Sequence, residues 1–320
     1  LIRRLILISA ALFTVLAPVF AAPRMTHTHT TRYFEVYSDG KDPYIAKLLA
    51  QTAESELLRI SERLGYDPPK DRRFPLLVYS THLGFINAGG LKERKFTVGL
   101  ASMGNETISV DASGAFALPS QVLSHEITHV VVFRILGRYA PDIPLWIAEG
   151  LAKCLSDDYG ATERETVADA AGNGSLIPLR YLRRSFPEDR VNLAYSQSAS
   201  AIHYLVEENG HRAPRRLLQK MRDTGDIDEA MEFASGFGLD AFEQMWIDHA
   251  EREYRSLRVF RTITQAVGIV MAILAVLAFA ARRRQKIEAA RRWEAEELEQ
   301  ARLREQLYEQ DEPNPYRPEP

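Results

Sequence analysis

Apolar and polar positions along the chain change period several times, and each change marks an element. Arg32 to Tyr37 alternates and is rich in aromatic and branched residues, the pattern of a strand. From Pro43 to Leu64 the period lengthens. Ile45, Leu48, Leu49, Leu57, Leu58 and Leu64 fall at spacings of three and four, which predicts a long amphipathic helix closed by Gly65. Phe74 to Tyr79 reads as a second strand, apolar enough to be internal, and His82 to Ala88 as a short turn or helix. Phe96 to Ser102 and Thr107 to Ala112 look like two more strands around the turn Met103-Gly104-Asn105-Glu106.

Beyond Ser120 the pattern is helical. Val122, Ile127, Val130, Val131, Phe133 and Ile135 form an apolar run whose polar interruptions cluster at Ser124–Glu126 and Thr128–His129. A helix buried on most sides is expected, ended at Gly137, with Tyr139 to Pro144 turning the chain into a second helix. Pro144 suits a first helical turn because its missing N–H would be unpaired there. Further helices are expected at Ala161–Ala171, Pro178–Ser185, Leu193–Glu208, Pro214–Asp223, Ile227–Ala234 and Asp240–Leu257. Strands come first and helices second, without βαβ alternation, which argues for an α+β architecture.

Two stretches are apolar without any such periodicity. Residues 1–21 join Arg3 and Arg4 to an apolar core and a small-x-small site, the pattern of a secretory signal peptide. An uncleaved anchor is the alternative, and either one would export the domain after it. Residues 22–31 are polar and are expected to be an unstructured tether, in which His27 and His29 alternate with threonine. A transmembrane helix is expected over 260–281, where residues 262–281 carry no charge and match the length of a bilayer span. Arg282-Arg283-Arg284-Gln285-Lys286 comes directly after it, as the positive-inside rule asks of a cytoplasmic flank; Arg255, Arg258 and Arg261 on the other side weaken that asymmetry, and the signal peptide sets the topology, with the C-terminus inside. Residues 282–310 are dense in Glu and Arg at helix-neighbour spacing, a charged cytoplasmic helix open to a partner there. Residues 311–320 contain four prolines and read as a disordered tail.

Composition adds little beyond exclusion. A net charge of −3 gives no footprint for nucleic acid. The single cysteine, Cys154, rules out an internal disulfide in an exported domain, which must then hold together by its core. The stretch 32–257 is long enough to supply one.

The chemistry concentrates in His125-Glu126-Ile127-Thr128-His129. On a helix the two histidines lie one turn apart on one face and can reach a single metal ion. Glu126, one residue on, reaches the water such a metal activates rather than the metal. Catalytic zinc needs a third protein ligand and keeps one position open. Glu149 comes after His129 with 19 residues between them, in Leu145-Trp146-Ile147-Ala148-Glu149-Gly150 at the start of the second helix. The bland alternative, a buried helix whose histidines merely hydrogen-bond, leaves two imidazoles and a carboxylate buried on one face at considerable cost. Cys154 falls about 140° round the helix from Glu149 and reads as a small buried hydrophobe, not a fourth ligand.

H-E-x-x-H, a distal Glu and the W-x-A-E-G context resemble the gluzincin zinc metallopeptidases, most closely the bacterial peptidase MA-like group, from about Arg32 to Leu257. The resemblance implies a zincin-like metallopeptidase domain over 32–257: a small N-terminal sheet with helices, an active-site helix and a mostly helical second half. It implies one Zn²⁺ per chain, held by His125, His129 and Glu149, with Glu126 as general base. It places an edge strand beside the metal helix, for which Gly99 to Asn105 stands in the right place, although a plain hairpin explains that stretch as well. It suggests an oxyanion donor on the helical half. Tyr195, in its Y-x-Q-S setting, matches that position, and His203 fits less well. One departure concerns the carboxylate that often stands four residues after the ligand Glu. Lys153 is there instead, which leaves Asp142, Asp157, Asp158 or a backbone carbonyl to orient the histidines.

The reading is a membrane-anchored zinc endopeptidase acting on peptide or protein substrates outside the cytoplasm, single-pass, with its C-terminus inside. An aminopeptidase of the same fold is the alternative, and it would need an acidic group to hold the substrate amine. A non-catalytic membrane-anchored scaffold or receptor is the other, and it would predict loss of Glu126 or of a ligand.

Overall fold

The computed structural model of the protein describes residues 23–40, 43–89 and 97–311. The expected signal peptide over 1–21 lies outside the described residues, as does the expected tail from residue 312 on. The chain divides into two compact units, one up to Tyr254 and one from Arg255.

The first unit opens with strands β1 (Thr26–Thr30) and β2 (Phe34–Ser38), helix α1 (Pro43–Leu64), strand β3 (Phe74–Tyr79), helix α2 (His82–Gly89), and strands β4 (Gly99–Ala101) and β5 (Ile108–Asp111). The five strands form one mixed sheet in the order β1-β2-β3-β5-β4. Within it β2, β3 and β5 run parallel, with Val36 opposite Leu76 and Leu76 opposite Ile108. The two edge strands are antiparallel to their neighbours. Every second residue of the inner strands is buried: Phe34, Val36, Phe74, Leu76, Val78, Ile108 and Val110. They pack with the apolar stripe of α1, Leu49, Ala53, Leu57, Ile60 and Leu64, into one core.

Two expectations are corrected here. The stretch 22–31 is not an unstructured tether, because Thr26–Thr30 pairs with β2. The hydroxyls of Thr26 and Thr28 donate to the carbonyls of Ser38 and Val36. An edge strand with no fully buried residue needs no apolar stripe, so its polar composition reads as a tail. The second correction is that a βαβ unit is present: β2, α1 and β3 form a parallel pair with a helical crossover. The α+β class still holds, since both sheet edges are antiparallel and the rest of the unit is helical.

The helical half begins with α3 (Pro119–Leu136), where Pro119 occupies the first turn. A 3₁₀ turn at Gly137–Asp142 leads to α4 (Leu145–Leu155), and Pro144 sits at its cap instead of inside it. Then come α5 (Ala161–Gly172), α6 (Val191–Asn209), α7 (Ala213–Thr224) and α8 (Ile227–Ser235). The helix expected over 178–185 is a single 3₁₀ turn, Leu179–Leu182, whose Leu179 N–H donates to Glu243. Gln197 on α6 holds the preceding loop by bonding both the N–H and the carbonyl of Ile177, at 2.9 Å each.

Helix α9 runs without interruption from Leu239 to Asp311, through the segments expected as a domain helix, a membrane span and a charged helix. Its beginning packs Phe242, Trp246 and Ala250 into the core of the first unit. In the second unit it contains an 18-residue window of mean hydropathy 2.4, none of it buried, long and apolar enough by length and composition to cross a membrane.

Candidate active site

α3 and α4 carry the chemistry. α3 is buried on most of its circumference by Leu123, Ile127, Val130, Val131, Ile135 and Leu136, as its apolar run predicts. His125, Glu126 and His129 form its polar patch. The turn after Gly137, whose φ of +55° suits glycine, reverses the chain and brings α4 back beside α3.

Glu149 thereby meets both histidines. Its Oε2 lies 3.3 Å from His125 Nε2 and 3.7 Å from His129 Nε2, and the two Nε2 atoms are 3.2 Å apart. All three ligand atoms fall within 4.8 Å of one another. Tetrahedral zinc with bonds of about 2.0–2.2 Å separates its ligand atoms by about 3.3–3.6 Å. Two imidazoles and one carboxylate, converging at that spacing, fit zinc in both geometry and donor type. The electrostatics agree. Burial would raise the Glu149 carboxyl, but His129 and His125 beside it hold it well below the usual range. Burial would lower His129, but the Glu149 carboxylate beside it raises it on balance.

Glu126 does not join the triad. It is buried, and burial pushes its carboxyl up against the opposing pull of the two histidines. Its other neighbour is β4, whose Ala101 backbone hydrogen-bonds the carboxylate. Gly99 packs against it too: a Cβ there would stand 2.4 Å from Glu126 Oε1 and 2.6 Å from Val122 Cγ1. So the edge strand expected beside the metal helix is present and presses on the candidate base. Its contact with Glu126 had no signal in sequence beyond a glycine in a short apolar run.

The remaining candidates are placed differently. Tyr195 is half-buried on α6, its ring perpendicular to that of Phe186 with centroids 4.9 Å apart. α6 lies along α4 because Gly150 has no side chain; a Cβ there would meet the Ser198 carbonyl at 2.3 Å. Tyr195, three residues before Ser198, shares that face. His203 turns to Tyr159 and Glu207. Lys153 salt-bridges Asp158 at 2.5 Å, and Gln121 approaches Asp158 and the Asp157 carbonyl, while Asp142 is exposed. The buried Nδ1 of His129 has no hydrogen-bond partner among the described residues. Cys154 donates to the Ala199 carbonyl at 3.3 Å, away from the ligands on the α6 side of α4.

A family match agrees with this site. Residues 52–251 match the family model of the Peptidase MA superfamily. None of the curated proteins matches the chain. Among solved structures, an M1 zinc metallopeptidase from Deinococcus radiodurans, determined as a mutant, is 15% identical with a TM-score of 0.44. The alignment covers 70% of this chain and 50% of that one. A two-domain M1 zinc metallopeptidase mutant bound to L-arginine is 16% identical with a TM-score of 0.38, covering 73% of this chain and 50% of that one. The chain thus spans about half the length of these structures.

Proposed function

The chain belongs to the Peptidase MA superfamily, a family of gluzincin-type zinc metallopeptidases, and from that premise we propose that it hydrolyses peptide bonds at the site on α3 and α4. The observation that carries this reading is the convergence of His125, His129 and Glu149, with Glu126 beside them under β4.

His125, His129 and Glu149 would hold one zinc ion per chain. Zinc, when bound, polarises the scissile carbonyl and brings the pKa of a water towards neutrality. Glu126 takes the proton of the attacking water and passes it to the leaving amine. Its burial, with the carboxyl pushed up, suits a group that must both accept and return a proton. The Tyr195 hydroxyl donates to the oxyanion that develops on the carbonyl. The edge strand β4 takes the substrate backbone as an added strand. All four groups of the motif are in place, which a non-catalytic scaffold would not require.

Internal cleavage, the narrower expectation from sequence, has no support of its own in the family match. Aminopeptidase chemistry uses every residue named here and is kept beside it. The apolar stretch 260–281 would anchor the enzyme in the bilayer, with residues 32–257 outside the cytoplasm and residues 282–310 inside, available to a cytoplasmic partner.

The test uses the full chain in detergent micelles. About one zinc per chain is expected, lost in His129→Ala. Glu126→Gln should keep the metal and lose about 10²–10⁴-fold in kcat on a generic peptide mixture. Blocking peptide amino termini by acetylation reads the cleavage mode: it stops an aminopeptidase and spares an endopeptidase. Absence of zinc from the wild-type chain offered the metal would end the proposal.

A further inference from the structure

The three metal ligands are divided between two helices, so their geometry depends on the spacing of α3 and α4. A polar junction on the α1 side joins these two helices. Ser124, immediately before His125, is buried, and its hydroxyl donates to Glu56 Oε2 at 2.6 Å. The same hydroxyl lies 3.4 Å from the carbonyl of Leu155, the last residue of α4. Arg59, one turn after Glu56 on α1, reaches all three with one nitrogen. Its Nη2 donates to Glu56 Oε2 at 2.6 Å, to Ser124 Oγ at 3.2 Å, and to the Leu155 carbonyl.

Each of these contacts answers a need. The Leu155 carbonyl is among the last four of its helix and has no partner within it. A guanidinium there also complements the negative end of the helix. The buried Ser124 hydroxyl requires an acceptor, and Glu56 supplies it. Arg59 is 37% exposed, so its ion pair with Glu56 counts for little as a surface salt bridge. What the pair does supply is a link from the residue before one ligand to the end of the helix that carries another. Leu155 and Glu149 are separated by about 9 Å of rigid helix. Position at one end is therefore carried to the other, where metal ligands tolerate about 0.5 Å. Lys153, in the place of the carboxylate seen in related enzymes, is engaged by Asp158 and adds no such support.

We infer that Glu56 and Arg59 are positioning residues of the metal site, holding α3 and α4 at the spacing that lets His125, His129 and Glu149 share one ion. The inference rests on the zinc-peptidase reading above.

The experiment measures zinc affinity by chelator competition, and the visible absorption of the cobalt-substituted protein, on the full chain in detergent micelles. Wild type is compared with Arg59→Ala, Arg59→Lys and Glu56→Gln. Lys220→Ala serves as control, breaking a 3.0 Å ion pair with Glu229 that joins α7 and α8. Arg59→Ala and Glu56→Gln should each weaken zinc about 10–100-fold and change the cobalt spectrum. Arg59→Lys keeps the charge without the fork and should fall between them and wild type, while Lys220→Ala should leave both readouts unchanged. Wild-type affinity and spectrum in Glu56→Gln and both Arg59 variants would overturn the inference, as would equal losses in the control. If Arg59→Ala does not fold, Arg59→Lys and Glu56→Gln decide. A wild-type chain that binds neither metal removes the zinc-peptidase reading and this inference together.

Discussion

Gly99 leaves no room for a side chain beside Glu126. The absent side chain is filled by the Glu126 carboxylate and Val122, so even a methyl group forces one of them to move. The flexible end that yields is the carboxylate. Gly99→Ala is therefore expected to lower kcat by about 10²-fold, the cost of a displacement near 1 Å at a reacting group. Zinc content should be unchanged, because the atoms that a Cβ at residue 99 would meet first belong to Glu126 and Val122. Steady-state kinetics beside metal analysis checks this; loss of zinc would show that the strand supports the ligands instead. At this scale the sequence was informative where chemistry is local. His125, Glu126 and His129 are legible because one helical turn enforces their grouping, and Glu149 because its context is short and distinctive. Glu56, Arg59 and Gly99 were not legible, since each acts on a partner tens of residues away through a distance only the fold sets.

Among the elements, the contact of α4 with α6 is the tightest that a glycine permits. At Gly150 a Cβ would meet the Ser198 carbonyl at 2.3 Å and its carbon at 2.8 Å, both backbone atoms that cannot turn aside. Gly150→Ala should destabilise the folded unit by about 1–3 kcal/mol, read as a lower denaturant midpoint at unchanged slope. Cys154 lies on the same seam. Burial pushes its thiol up to about 12, so the reactive thiolate is scarce at pH 8. Iodoacetamide should leave it unlabelled in the folded protein and modify it fully in denaturant. Rapid labelling of native protein would show that the seam opens. Most elements were readable from period alone: α1, α3, α6 and the inner strands have the expected residues within a few positions. β1 was not, because a polar edge strand is held by backbone pairing with β2, which leaves no apolar period behind. The continuity of α9 was not readable either. Three compositions succeed one another along it, and composition reports surroundings, not whether the backbone is interrupted.

For the whole molecule, the consequence to test is attachment. The apolar side chains of α9 between Phe260 and Phe279, such as Ile269, Leu274 and Phe279 itself, are more than half exposed. A contiguous exposed apolar surface of this kind marks a membrane or protein contact. The full chain should remain in the membrane fraction after alkaline carbonate washing, and removal of residues 260–320 should release it. Protease added outside should digest residues 32–257 and spare the charged stretch 282–310; the reverse pattern would invert the topology. The sequence by itself determined the α+β class, the set of side chains that could hold a metal and an apolar stretch of membrane-spanning length, because each is written in spacing or composition within a few turns of chain. Tertiary structure alone decided three further matters: that β4 presses on Glu126, that Gly150 admits α6 against α4, and that Arg59 joins the end of α4 to Ser124, beside His125 on α3. Those contacts join segments distant in sequence, and close packing selects them without leaving a period to read.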